Sequence, residues 1–234
     1  MMSVLVDGIE TNLRRIRECI ARSVVGLGRQ PEDITIIGVT KTQSVAAIRA
    51  AYDAGIRHFG ENRVQEFEGK YDALKDLAVT WHLIGHLQSN KAPRAAKLFH
   101  TFDSMDSLSL AQKLNASVRS DDPRPVLIEV RTDTAATKSG VLPENVPLLV
   151  EGMLGLNHLT LRGLMTIPAF FEDPGQARGS FRDLRMLRDA LVRRFEIPLP
   201  VLSMGMSHDF EVAIEEGATE VRIGTGLFGA RAKA

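Results

Sequence analysis

Residues 34–55 read ITIIGVTKTQSVAAIRAAYDAG: a short apolar run, a polar turn, then a segment of helical period. The run 34–40 is apolar on both faces, as a parallel strand covered by helices should be. After the turn Lys41-Thr42-Gln43-Ser44, Ser44 is placed to cap a helix that directs Val45, Ile48 and Tyr52 inward and stops at Gly55. The same unit repeats along the chain. Further strand-like runs fall at 56–60 (IRHFG), 81–85 (WHLIG), 99–105 (FHTFDSM), 126–132 (VLIEVRT), 159–167 (LTLRGLMTI), 200–206 (PVLSMGM) and 220–228 (EVRIGTGLF). Between them, Asn62 with Gln65 reads as a capping box before Val64, Phe67, Tyr71 and Leu74. Asp173-Pro174 opens a segment with Phe181, Leu184, Leu191 and Phe195 at helical spacing. Ser207 is placed to cap 208–216, which stops at Gly217, and an extra helix over residues 3–25 precedes the first strand.

Eight strand-then-helix units with right-handed crossovers close naturally into a barrel. The expected fold is therefore α/β, a single (β/α)₈ TIM barrel with an extra N-terminal helix, forming one domain over residues 1–234. A doubly wound open sheet is the alternative, but it has fewer strands and a glycine-rich first turn, whereas the first turn here has no G-x-G-x-x-G. No Pro/Gly/Ser linker or shift in composition marks a second domain.

Charge excludes some functions. Lysine plus arginine and aspartate plus glutamate number 29 each, so a large basic field for nucleic acid is not expected. Cys19 is the only cysteine, which rules out an intrachain disulfide or a cysteine metal cluster and suits a buried or half-buried thiol. Asp7, Glu10 and Arg14 interrupt any signal-peptide pattern, and no apolar run is long enough to span a bilayer. The expectation is a soluble cytoplasmic protein, a monomer given the full barrel and the lack of an obvious apolar face.

In such barrels chemistry gathers at the C-terminal ends of the strands. Lys41 ends the first apolar run, so its amine is aimed at the barrel mouth; the competing reading is a lysine snorkelling to solvent. Ser203-Met204-Gly205-Met206-Ser207 and Gly224-Thr225-Gly226 lie where barrels bind phosphate, after strands seven and eight. A tight barrel corner is the other use of those glycines. Arg222 sits inside an apolar run and must be paired, with Glu61 or Glu129 as candidate partners, or aimed at a buried acceptor such as a ring nitrogen. Schiff-base lysine, phosphate cup and ring-nitrogen partner together describe a pyridoxal phosphate site. His82, His86 and His100 lack metal-ligand spacing and read as structural or solvent-facing, no metal is expected, and no carboxylate pair stands out. Lys138-Ser139-Gly140 reads as a surface loop and the arginines around 182–194 as a solvated helix face.

The segments Val39 to Thr42, Phe59 to Glu66 and Trp81 to Lys91 resemble the pyridoxal phosphate homeostasis protein family, as do Lys138 to Gly140, Leu161 to Met165, Leu202 to Ser207 and Val221 to Arg231. That family is similar to the barrel domain of alanine racemase without its second, β-rich domain. The resemblance implies that Lys41 carries pyridoxal 5′-phosphate (PLP) as a Schiff base and that Arg222 faces the pyridine nitrogen. Gly224 and Thr225 match the phosphate cup, Asn62 matches a position beside the cofactor, and either Ser203 or Ser207 holds the phosphate. Arg63 stands where a tyrosine is common. The implied role is a PLP carrier in intracellular homeostasis with little or no catalysis, engaging apo-enzymes transiently. A racemase-like enzyme and a cofactor-free Schiff-base aldolase are the competing functions.

Overall fold

The computed structural model describes residues 2–132 and 139–229. Among them eight parallel strands close a barrel in chain order: β1 (Thr35–Val39), β2 (His58–Glu61), β3 (Thr80–Leu83), β4 (Thr101–Met105), β5 (Arg124–Glu129), β6 (Leu159–Met165), β7 (Val201–Met206) and β8 (Glu220–Ile223). This is the (β/α)₈ TIM barrel that the repeat predicts. A helix precedes β1, α1 (Met2–Ser23), and one follows each strand: α2 (Val45–Asp53), α3 (Val64–Tyr71), α4 (Ala92–Leu98), α5 (Leu108–Asn115), α6 (Val146–Met153), α7 (Arg178–Phe195), α8 (Phe210–Glu215) and α9 (Thr225–Phe228).

The ring closes where β1 meets β8, with Thr35, Ile36, Ile37 and Gly38 opposite Glu220, Val221, Arg222 and Ile223. Helix α9 has only four residues, too short to cover that seam. Helix α1 takes the vacant place in the outer ring, packing on α2, α8 and α9. Its apolar residues Ile9, Leu13, Ile16 and Ile20 recur every three or four positions and are all buried. The Asn12 side-chain amide adds a 3.0 Å bond to the Leu227 carbonyl.

Three local expectations are corrected. The run 220–228 is not one strand, because the chain leaves β8 at Ile223 and turns into α9. Leu227 is buried as a residue of α9 rather than by strand alternation. Asn62 does not cap α3: Arg63 stands at the cap position and makes no side-chain capping bond. Ser207 does not cap α8 either, since that helix begins at Phe210 after Asp209. Ser44 does cap α2, accepting from the Ala47 N–H, and Asp173 accepts from Gly175 N at the turn ahead of α7.

A bulge in β7 matters for the rim. Ser203 pairs with Glu220 but Met206 with Arg222, so β7 carries one residue more than β8 between these points. Gly205 lies in the bulge with φ +91, and a Cβ there would sit 2.6 Å from the Ala213 Cβ. The kink brings Ser207 toward the end of β8.

Under α3 and α4 the wall is aromatic. Phe67 is fully buried, with ring centroids 4.4 Å from Trp81, 5.0 Å from Phe99 and 5.7 Å from Tyr71. Truncation to Phe67→Ala is expected to cost about 3–5 kcal/mol, read as a lower denaturant midpoint at unchanged slope.

Candidate functional site

The turn after β1 holds Lys41 at the mouth, half-buried. The Gln43 N–H donates to the Thr40 carbonyl at 3.0 Å, closing a four-residue turn with Thr42 at φ +65. A β-branched residue in this left-handed region is uncommon and needs support from its surroundings. That support is at hand. The Thr42 N–H donates to Glu66 Oε1 at 2.6 Å, and the Thr40 hydroxyl donates to Glu61 Oε1 at 2.8 Å. Lys70 Nζ then donates to the Thr40 carbonyl and to both carboxylates at 2.8–3.1 Å. Burial raises the Glu61 pKa against the pull of Lys70 and Thr40. Burial pushes the same way at Glu66, but the bonds from Lys70 and the Thr42 amide outweigh it and hold that carboxyl low.

Asn62 follows β2 and lies beside a cleft of about 590 Å³ that Arg63, His86 and Lys91 also line. Its Oδ1 is buried and has no hydrogen-bond partner. His86 is exposed and pairs with Asp106 at 3.0 Å.

On the other side of the seam, Arg222 is buried within the barrel. Its Nη1 donates to Ser203 Oγ at 2.8 Å and its Nη2 to the Thr166 carbonyl at 2.7 Å. Burial lowers the guanidinium pKa, opposed by the charges of Asp103, Glu220, Glu129 and Asp209. Of the two partners expected for Arg222, Glu129 is among these charges, while Glu61 belongs to the Lys70 network instead. The two serines are separated. Ser203 is fully buried beneath Arg222, whereas Ser207 Oγ accepts the N–H of Gly224 at 3.2 Å and of Gly226 at 3.1 Å. Thr225, the first residue of α9, is exposed between them.

The sequence reading missed a buried polar chain in the interior. His58 Nδ1 lies 3.0 Å from His82 Nε2, and His82 Nδ1 lies 2.9 Å from Asp103 Oδ2. One ligand atom each of His82, Asp103 and Glu220 falls within 4.8 Å of the others. The buried Arg222 guanidinium supplies a cation close to these groups. Burial lowers the His82 pKa, but Asp103 and Glu220 outweigh it and the net direction is upward. The only signal in the sequence was position: His82, Asp103, Ser203 and Arg222 are each the third residue of their strands. His100 accepts the Trp81 N–H and is structural, as expected. On α7, Arg182, Arg193 and Arg194 are exposed, as expected of a solvated face, and Arg182 and Arg185 join Arg178 around Glu216. Lys138 lies outside the described residues.

A family model described as "Alanine racemase, N-terminal domain" matches residues 6–232. The "Pyridoxal phosphate homeostasis protein" of Aquifex aeolicus is 47% identical over 220 residues, covering 94% of this chain and 96% of the relative. The chain belongs to the pyridoxal phosphate homeostasis protein family. Its relative of the same name in Escherichia coli K12 is 39% identical over 97% of this chain and 98% of the relative. Among solved structures, PipY of Synechococcus elongatus PCC7942 with PLP bound is 36% identical at a TM-score of 0.78, covering 90% of this chain and 100% of that one. Alanine racemase from Corynebacterium glutamicum, 16% identical at a TM-score of 0.73, shares the fold; the alignment covers 97% of this chain and 62% of the racemase.

In this member of the homeostasis protein family, Glu129 ends β5 with little exposure. Burial and then the charge of Asp106 push its carboxyl up to about 7, against Arg222 and His86. The folded state therefore favours the protonated form. That contribution is fully present below the ordinary value of 4.5 and is lost as pH rises through about 7. Glu129→Gln keeps a neutral side chain at every pH. It should match the parent near pH 4 and exceed it in stability by on the order of 1–3 kcal/mol at pH 8, measured by denaturant unfolding across that range. His58, which burial lowers to about 4, acts in the opposite direction but cancels in the difference. A gap between the two proteins that does not vary with pH would contradict the assignment.

Proposed function

We propose that this chain binds PLP at the barrel mouth as a Schiff base on Lys41 and serves as a carrier in intracellular PLP homeostasis. The reading describes one domain, a cytoplasmic monomer with little or no catalysis that hands the cofactor transiently to apo-enzymes. The observation that carries it is the convergence at the β1–β8 seam of the Lys41 turn, the Arg222 guanidinium and the Ser207–Gly224–Gly226 cradle. Kinship with PipY, whose structure is described with PLP bound, supports the choice of cofactor.

The residues present suit that group. Arg222 uses one donor on Ser203 and one on Thr166, which leaves others of its five N–H groups for an acceptor above. Gly224 and Gly226 point backbone N–H groups at one hydroxyl, and that donor set also serves a phosphate. We assign the phosphate to Ser207, Gly224 and Thr225, and give Ser203 the role of steadying Arg222. Asn62 offers a buried acceptor without a partner, as expected of a wall that receives a polar ligand.

Bound PLP supplies an aldehyde for amines and a ring that draws electrons from the attached carbon. Arg222 limits the second use, because a proton on the ring nitrogen would set two positive charges together. Lys41 is able to move a proton on one side of a bound amino acid. Glu129, held as an acid to about 7, is the observation that favours a racemase-like alternative.

Purified protein given PLP should gain the visible band of a Schiff base. Borohydride followed by peptide mass measurement should place a pyridoxyl group on Lys41, and Lys41→Ala should lose both. Failure to bind, or trapping elsewhere, overturns the reading. Chiral assay of amino acids decides the alternative: turnover at ordinary enzyme rates, about 1–10³ s⁻¹, would mark an enzyme. Sedimentation of a stable dimer would correct the monomer.

A further inference from the structure

We propose that Lys70, acting with Glu61 and Glu66, is the positioning device for the Lys41 amine, clamping the turn on both sides of that residue. The inference rests on the reading of Lys41 as the amine that takes PLP. It concerns residues of β2 and α3 that do not themselves hold the cofactor.

The case begins with the backbone. Lys41 lies between Thr40, whose side chain and carbonyl are both bonded, and Thr42, whose φ of +65 an unsupported threonine rarely adopts. Glycine is the usual residue at the third position of such a turn, since it takes the left-handed region without strain. With threonine there, the conformation lasts only while neighbouring groups hold it.

The hold comes from one ammonium. Lys70 Nζ has three protons and three acceptors: the Thr40 carbonyl at 3.1 Å, Glu61 Oε1 at 3.1 Å and Glu66 Oε1 at 2.8 Å. Glu66 uses that same oxygen to take the Thr42 N–H at 2.6 Å, and Glu61 uses its own to take the Thr40 hydroxyl. The ammonium thus joins the residues before and after Lys41 into one network. Glu66 and Lys70 are four apart on α3, so a single helix presents both. The Lys70 side chain is 14% exposed and that of Glu61 is fully buried, unlike a solvated surface pair.

A plain alternative is that Lys70 only neutralises the buried Glu61. The two roles separate when affinity for PLP is compared with affinity for pyridoxine 5′-phosphate, which has an alcohol in place of the aldehyde and cannot condense with an amine. The variants are Lys70→Met and Glu66→Ala in the full chain. For both, Schiff-base affinity for PLP should fall about tenfold or more while affinity for the alcohol changes less than about twofold, because a misplaced reacting group loses far more than a misplaced binding group. Adding Thr42→Gly to Glu66→Ala should recover most of the loss, because glycine accepts the left-handed turn without the clamp.

Equal losses for both ligands, or a lower melting temperature with unchanged PLP affinity, overturn the inference, as does a Glu66→Ala loss that Thr42→Gly leaves in place. Should Lys70→Met not fold, the half-exposed Glu66 carries the test with the same outcomes. A parent protein that forms no Schiff base refutes the role of Lys41 itself, a result distinct from variants that match a parent that does.

Discussion

Parallel hydrogen bonds between residues 35–38 and 220–223 close the ring, and they also bring the ends of the first and last strands to one rim. Lys41 leaves the barrel just after β1, and Gly224 and Thr225 leave it just after β8, so the adjacency of the strands makes those residues neighbours. A seam of this kind needs a cover. The short α9 does not supply one, and α1 does, anchored by four buried side chains and the bond from Asn12 to Leu227. The extra helix at the start of the sequence is thus tied to the candidate site through the strands it covers. Loss of its apolar stripe would act on the mouth by loosening the closure, with no contact to a ligand required.

The interior has a second organising demand. Barrels of this class are usually filled with branched apolar side chains, yet here Arg222, His82, Asp103 and Ser203 are buried together. A charged group taken from water weakens a fold unless partners replace its hydration. Arg222 meets that demand with a hydroxyl and a backbone carbonyl, and the acidic groups balance it at longer range. A carboxylate in direct bidentate contact would have taken up more of its donors. The arrangement costs stability that an apolar pair would not, and it keeps a fixed cation inside the barrel whose recorded bonds among the described residues use one hydrogen on each Nη.

The barrel was readable from periodicity because each repeat carries its own strand signal and helix signal. The end of the eighth repeat was not, since EVRIGTGLF continues to place apolar residues where either alternation or a helical turn would want them. Caps were read from residue type alone, which worked at Ser44 and failed at Asn62, where the helix starts one residue later behind Arg63, and at Ser207, which lies beyond the β7 bulge and ahead of a helix that begins at Phe210. Lys41 and Arg222 stood out in the sequence as charged residues ending or inside apolar runs, though each also had a bland reading, a snorkelling lysine or an ion-paired arginine. Ser203 and Ser207 were indistinguishable in sequence, four residues apart on one motif, and only the bulge at Gly205 separates a buried serine from one at the rim. The Lys70 network gave no signal, and the His82–Asp103 pair gave none beyond its shared position in the strands. Each joins residues from different elements, and its members look like ordinary helix charges and strand polars.

The two halves of the candidate site are held by different means. The Arg222 side is fixed by strand hydrogen bonds and a buried guanidinium with short, direct partners. The Lys41 side hangs on a strained turn, supported by a part-exposed carboxylate and one ammonium on α3. Strain at Thr42 is relieved by a change in the turn that also moves its neighbour Lys41, so α3 bears on where that amine sits while β7 and β8 bear on where the proposed anion would sit. Small motions of α3 would therefore act on the proposed Schiff base at Lys41 more than on the proposed anion site. For a protein whose proposed task is to release what it holds, that division places the adjustable contact on the bond that has to break.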